Sequence, residues 1–242
     1  MWSCRAGSWS LRWASDVTSK STRLRDQGFA LINRILDAGE CDDIAASMAK
    51  TAVVSVGSRN LLALNWCRRL ARCLRSDRRL RPLLPASYVA VQCTYFEKSR
   101  DRNWLVALHQ DLSIPVAHRV DDSSLRGWSE KEGSIFVQPP TALLERIIVF
   151  RLHIDRCGAE DGPLHVVPGS HRYGRVTTAE AIRLRSELPL VPCTLERGDV
   201  LAMRPLLLHQ SSKATGTSVR RVLHFLFAPA ELPCGLTWKL AF

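Results

Sequence analysis

Apolar and polar residues change rhythm along this chain, and the changes divide it. From Met1 to Arg25, Ser, Arg and three tryptophans (Trp2, Trp9, Trp13) follow one another with no periodic apolar face. From Gln27 the run GFALINRILDAGECDDIAASMAK predicts a short strand through Phe29 and Leu31, a turn, and a helix. Asp37 followed three residues later by Glu40 marks the helix start. Arg59–Arg81 sets Leu61, Leu64, Trp66, Leu70 and Leu74 at mixed three- and four-residue spacing opposite a stripe of arginines. That spacing predicts an amphipathic helix ending near Pro82.

Beyond Pro85 the period becomes two and stays there. YVAVQCTYF, NWLVALHQDL, ERIIVFRLHID, GPLHVV, GDVLAM, LLLHQSS and VRRVLHFLFAP read as short strands between Gly, Pro, Asp and Ser clusters, interrupted by one helix over 179–188. Helices first and many short strands afterwards predict a mainly β protein, a sandwich or barrel backed by N-terminal helices. The length suits a single domain over 26–242, with 1–25 as an unstructured leader outside it; the Arg- and Ser-rich, acid-poor make-up of that segment is also that of a transit peptide.

Charge sharpens the division. The formal net charge is +11, from 34 Lys+Arg against 23 Asp+Glu. Four of those excess positive charges fall in the first 25 residues and seven between Arg59 and Arg81, so the remainder is neutral overall. A protein that coats nucleic acid would spread its charge along a binding face, so nucleic acid is not the expected partner. The arginine stripe is either a solvated face or a docking surface for an anion. No stretch approaches the ~20 apolar residues that span a bilayer, so no membrane association is expected. Eight cysteines lie scattered without a close pair, which points to reduced thiols and a cytoplasmic setting.

The chemistry gathers on the strands. In His109-Gln110-Asp111 the outer two residues share a face, and both can grip one ion. His209, closing the run Leu206-Leu207-Leu208, offers a third ligand. Two histidines and one carboxylate make the facial triad of non-haem Fe(II) oxygenases. Arg220 follows eleven residues later, on a strand that puts it on one face with Val222 and His224; its guanidinium suits bidentate capture of a carboxylate, to which Ser211 can add a hydroxyl. Arg151, His153 and Asp155 form a polar stripe opposite apolar Ile148, Phe150, Leu152 and Ile154. The three are expected to line the cavity as candidate substrate contacts, where Arg151 either recognises an anionic or carbonyl group on substrate or co-substrate or pairs with Asp155. The long stretch from Pro115 to Pro140 reads as a lid, with Trp128 and Glu130 as candidate substrate contacts. His118 and His171 read as surface or turn residues, and His165 as a strand residue.

Taken together, GFALI…ILDAGEC, HQD, DGPLHVVPGSH, GDVLAMRPLLLHQSS and Arg220 resemble the phytanoyl-CoA dioxygenase family of Fe(II)- and 2-oxoglutarate-dependent oxygenases, over about Gln27 to Pro229. The resemblance implies a double-stranded β-helix, the jelly-roll or cupin-like fold. It implies His109, Asp111 and His209 as iron ligands, and Arg220 and Ser211 on the distal carboxylate of 2-oxoglutarate. Gln92 matches a position that some members use for the co-substrate. Where many members carry Trp, this chain has Arg151. The expected activity is hydroxylation of an unactivated C–H bond of a small-molecule substrate with O₂, releasing succinate and CO₂. The alternatives are a nucleic-acid-directed oxidative demethylase and a non-catalytic binding protein on the same scaffold.

Overall fold

The computed structural model describes residues 12–50 and 57–242. In chain order its elements are α1 (Arg12–Asp26), β1 (Phe29–Ile32), α2 (Ala38–Lys50), α3 (Asn65–Ser76), β2 (Tyr88–Lys98), β3 (Val106–His109), β4 (Ile114–Val116), β5 (Arg126–Lys131), β6 (Ser134–Gln138), α4 (Thr141–Leu144), β7 (Ile148–His153), β8 (Leu164–Val166), α5 (Thr178–Glu187), β9 (Val191–Cys193), β10 (Val200–Met203), β11 (His209–Ser211) and β12 (Arg220–Pro229).

The strands form antiparallel sheets in the orders β1-β10-β7-β12-β2, β3-β11-β8-β9 and β4-β6-β5. Alternation along the large sheet builds two cores. Phe150, Leu152, Leu223, Phe225 and Phe227 face outward and pack with Ile44 and Met48 of α2 and Leu70 and Leu74 of α3. Phe150 and Phe227 sit with ring centroids 5.1 Å apart, each fully buried; a large apolar side chain in such a place contributes about 1.5–3 kcal/mol. The opposite face of the same strands, with Val149, Leu201, Met203 and Leu226, packs against Leu164, Val166 and Cys193 of the four-stranded sheet and Val137 of the small one. This is the mainly β architecture that the alternation predicts and the jelly roll that the family resemblance implies. Its site opens on the inner face, and the helices cover the outer one.

Local signals act as expected at the start of α2. The Glu40 amide donates to Asp37 Oδ1 at 2.9 Å and the Asp37 amide to Glu40 Oε2 at 2.9 Å, closing a capping box. Gly198, before β10, has φ +83° and passes so close to the Leu36 carbonyl that a Cβ there would lie 2.1 Å from its oxygen; only glycine fits.

Three expectations change. Of the segment expected to be an unstructured leader, Met1–Leu11 lies outside the described residues, but Arg12–Arg25 belongs to α1, and Leu24 is 3% exposed in the outer core. The helix expected over Arg59–Arg81 is shorter: a 3-10 turn at Leu61–Ala63 precedes α3, which stops at Ser76. Asp77 then accepts from Arg79, whose guanidinium also donates to the carbonyls of Arg34 and Ile35, tying the turn after β1 to this corner. The stretch expected to be a lid is largely ordered as β4, β5 and β6, which wall one side of the site. The seven described cysteines are free thiols, and among the described residues no helix is long and apolar enough to cross a membrane.

Candidate functional site

Two neighbouring strands bring the sequence candidates together. In the pairing of β3 with β11, His109 lies opposite His209, with ring centroids 4.2 Å apart. Asp111 follows β3, its amide donating 2.9 Å to the Pro205 carbonyl just before β11. One ligand atom each from His109, Asp111 and His209 lies within 4.8 Å of the others. The Nδ1 atoms of both histidines are occupied by backbone carbonyls, His109 with Ala107 and His209 with Leu207, each at 2.8 Å. Donation from Nδ1 leaves a lone pair on each Nε2, and these atoms stand 3.8 Å from Oδ1 and Oδ2 of Asp111 respectively. Gln110, between the two ligand candidates, donates to the carbonyls of Gly174 and Leu206 and accepts from the Val176 amide, so it pins the surrounding loops.

The electrostatics suit a cation. Burial works to raise the Asp111 carboxyl, but the His209, His224 and His109 rings hold it below its ordinary value. Burial pushes His209 down to about 4 and His224 down to about 3. At neutral pH burial therefore keeps His209 and His224 neutral beside the Asp111 carboxylate. Its Oδ2 is buried without a hydrogen-bond partner. An unpaired buried carboxylate oxygen is costly, and a divalent ion accepting imidazole and carboxylate donors removes the cost. The donor set fits iron.

Deeper between the sheets lies a second cluster, built by β2 and β12. Arg220 pairs in register with Lys98, and the two are 2% and 1% exposed. Lys98 donates to the Ser211 hydroxyl at 2.7 Å and to the Ser212 carbonyl; Arg220 donates 2.9 Å to the Gly162 carbonyl and leaves its Nε unpartnered. Burial, then Arg220 and Arg151, push Lys98 down to about 8. Among the described residues, neither cation forms an ion pair with a carboxylate. Such a compartment is arranged for an incoming anion.

Sequence reasoning missed Lys98. The signal was present: Gln92, Thr94, Phe96 and Lys98 alternate along one strand, so the face that carries Gln92 also carries the lysine.

The remaining candidates divide. Gln92 lines the open cavity and donates 2.9 Å to the Thr94 hydroxyl. His153 is buried, with neither ring nitrogen partnered. Asp155 does not pair with Arg151: it takes the amide and guanidinium of Arg221 at 2.8–2.9 Å, because the chain leaves the strand after His153 and Asp155 falls outside the cavity. Trp128 is not brought to the site. It packs against the inner core with Arg119 stacked 5.6 Å from its ring, and Glu130 is exposed on β5. The hairpin instead sends Lys131 and Phe136 to the cavity wall. His165 lies on β8 and His171 in a turn, as expected.

The cavity above the ligand cluster measures about 360 Å³ and is bordered by Phe96, Leu112, Ile114, Phe136, Ile147 and the cationic Arg59 and Lys131. A wider surface depression of about 680 Å³, between α4 and the end of β12, holds no comparable cluster. Helix α3, which carries Arg68, Arg69, Arg72 and Arg75, packs through Leu70 and Leu74 on the outer core, across the large sheet from the cavity.

Solved structures with this fold share little sequence with the chain. The non-heme alpha ketoglutarate dependent epimerase SnoN from nogalamycin biosynthesis, in complex with Fe3+, alpha ketoglutarate and nogalamycin RO, is 18% identical, with a TM-score of 0.70 over 92% of this chain and 88% of that one. The carbocyclase SnoK from the same biosynthesis is 16% identical (TM-score 0.65, 88% and 84% covered). HygX from Streptomyces hygroscopicus, with nickel, 2-oxoglutarate and hygromycin B bound, is 18% identical (TM-score 0.62, 89% and 88% covered). No curated protein matches the chain in sequence. The sequence profile of the Phytanoyl-CoA dioxygenase (PhyH) family matches residues 24–222, which takes in every residue of both clusters, and the chain belongs to that family.

Proposed function

We propose that the protein is an Fe(II)- and 2-oxoglutarate-dependent oxygenase that hydroxylates an unactivated C–H bond of a small molecule. The observation that carries this reading is the pairing of two clusters: His109, Asp111 and His209 around an unpartnered carboxylate oxygen, and Lys98 and Arg220 without a counter-charge behind them. His109, Asp111 and His209 would hold the iron. The bound metal supplies the redox chemistry that couples decarboxylation of 2-oxoglutarate to succinate and CO₂ with oxidation of the substrate by O₂.

The chain's own residues bind and orient. Arg220, Lys98 and the Ser211 hydroxyl take the distal carboxylate of 2-oxoglutarate in a dry compartment, where charge-assisted hydrogen bonds are strong. Phe96, Ile114, Phe136 and Ile147 exclude water around the substrate, and Gln92 presents a polar contact. Arg59 and Lys131 at the cavity border favour a substrate with an anionic or strongly polar group. The apolar wall and the cavity volume suit a small molecule. Although Arg59 of the arginine stripe reaches the cavity, α3 with Arg68, Arg69, Arg72 and Arg75 packs across the sheet from it, which speaks against a nucleic-acid substrate drawn in by that stripe. The relatives in fold, an epimerase and a carbocyclase among them, belong to small-molecule biosynthesis, which supports the substrate class.

The test is anaerobic reconstitution with Fe(II) and 2-oxoglutarate, followed by oxygen and a succinate-release screen over small molecules. A hit must yield a product heavier by one oxygen atom. Succinate release coupled to a product of unchanged oxygen content would replace hydroxylation with another oxidation at the same centre.

A further inference from the structure

Arg151 stands where the inner cluster and the metal cluster meet. It lies on β7 opposite His224 of β12 and Leu201 of β10, and is 6% exposed. Among the described residues its one polar contact is through an amino group 3.4 Å from His224 Nδ1, and its guanidinium carbon lies 5.1 Å from the centre of the Phe96 ring. The Nε has no partner. The nearest acid in sequence, Asp155, is committed to Arg221.

Phe96 and His224 both line the open cavity, whereas Arg151, like Lys98 and Arg220, does not. Its guanidinium lies behind those two side chains, near enough to Lys98, Arg220 and Asp111 to interact with all three electrostatically. Along β12 the compartment has two ends. Arg220 and Lys98 mark the far end, and four residues on, His224 stands 3.7 Å from Asp111 Oδ2 with Arg151 beside it.

Lys98, Arg151 and Arg220 are three buried cations, none of them in an ion pair with a carboxylate among the described residues, beside the half-buried Asp111. Such an excess is costly to the empty protein and persists where an anion arrives to match it. A carboxylate at the Arg220–Lys98 end leaves Arg151 unmatched. We infer that Arg151 is a second anchoring residue for the dicarboxylate co-substrate and holds the carboxylate at the metal end, so that both ends of the molecule meet a fixed cation. The inference rests on the reading that the inner compartment takes 2-oxoglutarate. Of the substrate and the co-substrate, both open to Arg151 from the sequence, it selects the co-substrate.

The experiment is equilibrium binding to the Ni(II)-loaded full chain, in which no turnover competes. The probes are 2-oxoglutarate and its 1-methyl and 5-methyl esters, and the proteins are wild type, Arg151→Leu, Arg151→Lys and Arg220→Leu. Arg151→Leu is expected to weaken 2-oxoglutarate binding at least tenfold and to narrow the preference for the free acid over the 1-methyl ester to the part the metal ion supplies, with the preference over the 5-methyl ester intact. Arg220→Leu is expected to do the converse, and Arg151→Lys to keep most of the wild-type affinity. Urea unfolding of the empty proteins guards against a folding defect: Arg151→Leu removes an unmatched charge and should raise the midpoint, whereas loss of a merely structural arginine would lower it. Wild type that binds 2-oxoglutarate while Arg151→Leu binds it equally well, or discriminates against the 1-methyl ester as strongly as wild type does, overturns this inference alone. Wild type that does not bind 2-oxoglutarate overturns the functional reading and this inference with it.

Discussion

Replacing Lys98 by Met should make the empty protein more stable and the co-substrate weaker, and the first effect should depend on pH. Lys98 is 1% exposed and has no carboxylate partner. Burial, with Arg220 and Arg151 nearby, pushes its ammonium down to about 8 from the ordinary 10.5. The charged form is therefore disfavoured in the fold by about 3 kcal/mol. Below pH 8 the ammonium is protonated in both the folded and the unfolded chain, and the cost is present in full. Between pH 8 and 10.5 the folded chain sheds a proton that the unfolded chain keeps, so the cost fades as pH rises. Met removes the charge but strands Ser211 and the Ser212 carbonyl, returning about 1 kcal/mol for each lost hydrogen bond. The net expectation is a gain of about 1–2 kcal/mol at pH 7 that vanishes near pH ~9 and turns into a loss of about 1 kcal/mol near pH ~10. Urea unfolding of the metal-free, co-substrate-free proteins at pH 7 and pH 9.5 measures it. A hydrogen bond to a charged group is worth about 1.5–3 kcal/mol, so 2-oxoglutarate should bind about 10- to 100-fold more weakly to the variant. A variant that is less stable than wild type at pH 7, or whose difference from wild type does not change with pH, refutes the argument.

Two further substitutions test the frame around the site. Phe150→Ala opens a hole beside Phe227 in the outer core, where Phe150 is fully buried, and should cost about 3–5 kcal/mol; calorimetry should show a large fall in Tm, and a fall of less than a degree or two would contradict the packing described. Asp155→Asn weakens the half-buried pair with Arg221 and should cost about 1–2 kcal/mol by urea unfolding without changing metal stoichiometry; loss of metal binding would place Asp155 back in the cavity.

Much of this was legible in the sequence because period-two alternation reports directly which face is buried. His109, Asp111 and His209 could be grouped because strand geometry puts i and i+2 side by side, and their meeting across β3 and β11 needed only that the two strands pair. Arg220 and Ser211 followed from the same rule. Lys98 escaped because a lysine at a strand end reads as solvent-exposed; only the register of β2 against β12 shows it inside. Asp155 obeyed the alternation on paper, but the strand ends at His153 and the rule lapses there. Trp128 was placed in a lid because the Gly- and Pro-rich stretch around it masks the β5–β6 hairpin, whose ladder breaks register between Arg126 and Ser129. The helix over Arg59–Arg81 was drawn too long since its apolar spacing continues through Leu80, although Asp77 and Arg79 close the turn by side-chain hydrogen bonds that periodicity does not encode. The leader was read by composition, which does not report the single buried Leu24 of α1.

The central claim is that one cluster holds iron and the other holds 2-oxoglutarate. Anaerobic equilibrium dialysis with Fe(II) and labelled 2-oxoglutarate tests it most directly, on wild type, Asp111→Ala and Arg220→Leu. One iron and one 2-oxoglutarate per wild-type chain are predicted, with iron lost in Asp111→Ala and 2-oxoglutarate lost from an iron-loaded Arg220→Leu. Stoichiometric iron in Asp111→Ala, or undiminished 2-oxoglutarate in Arg220→Leu, would contradict it.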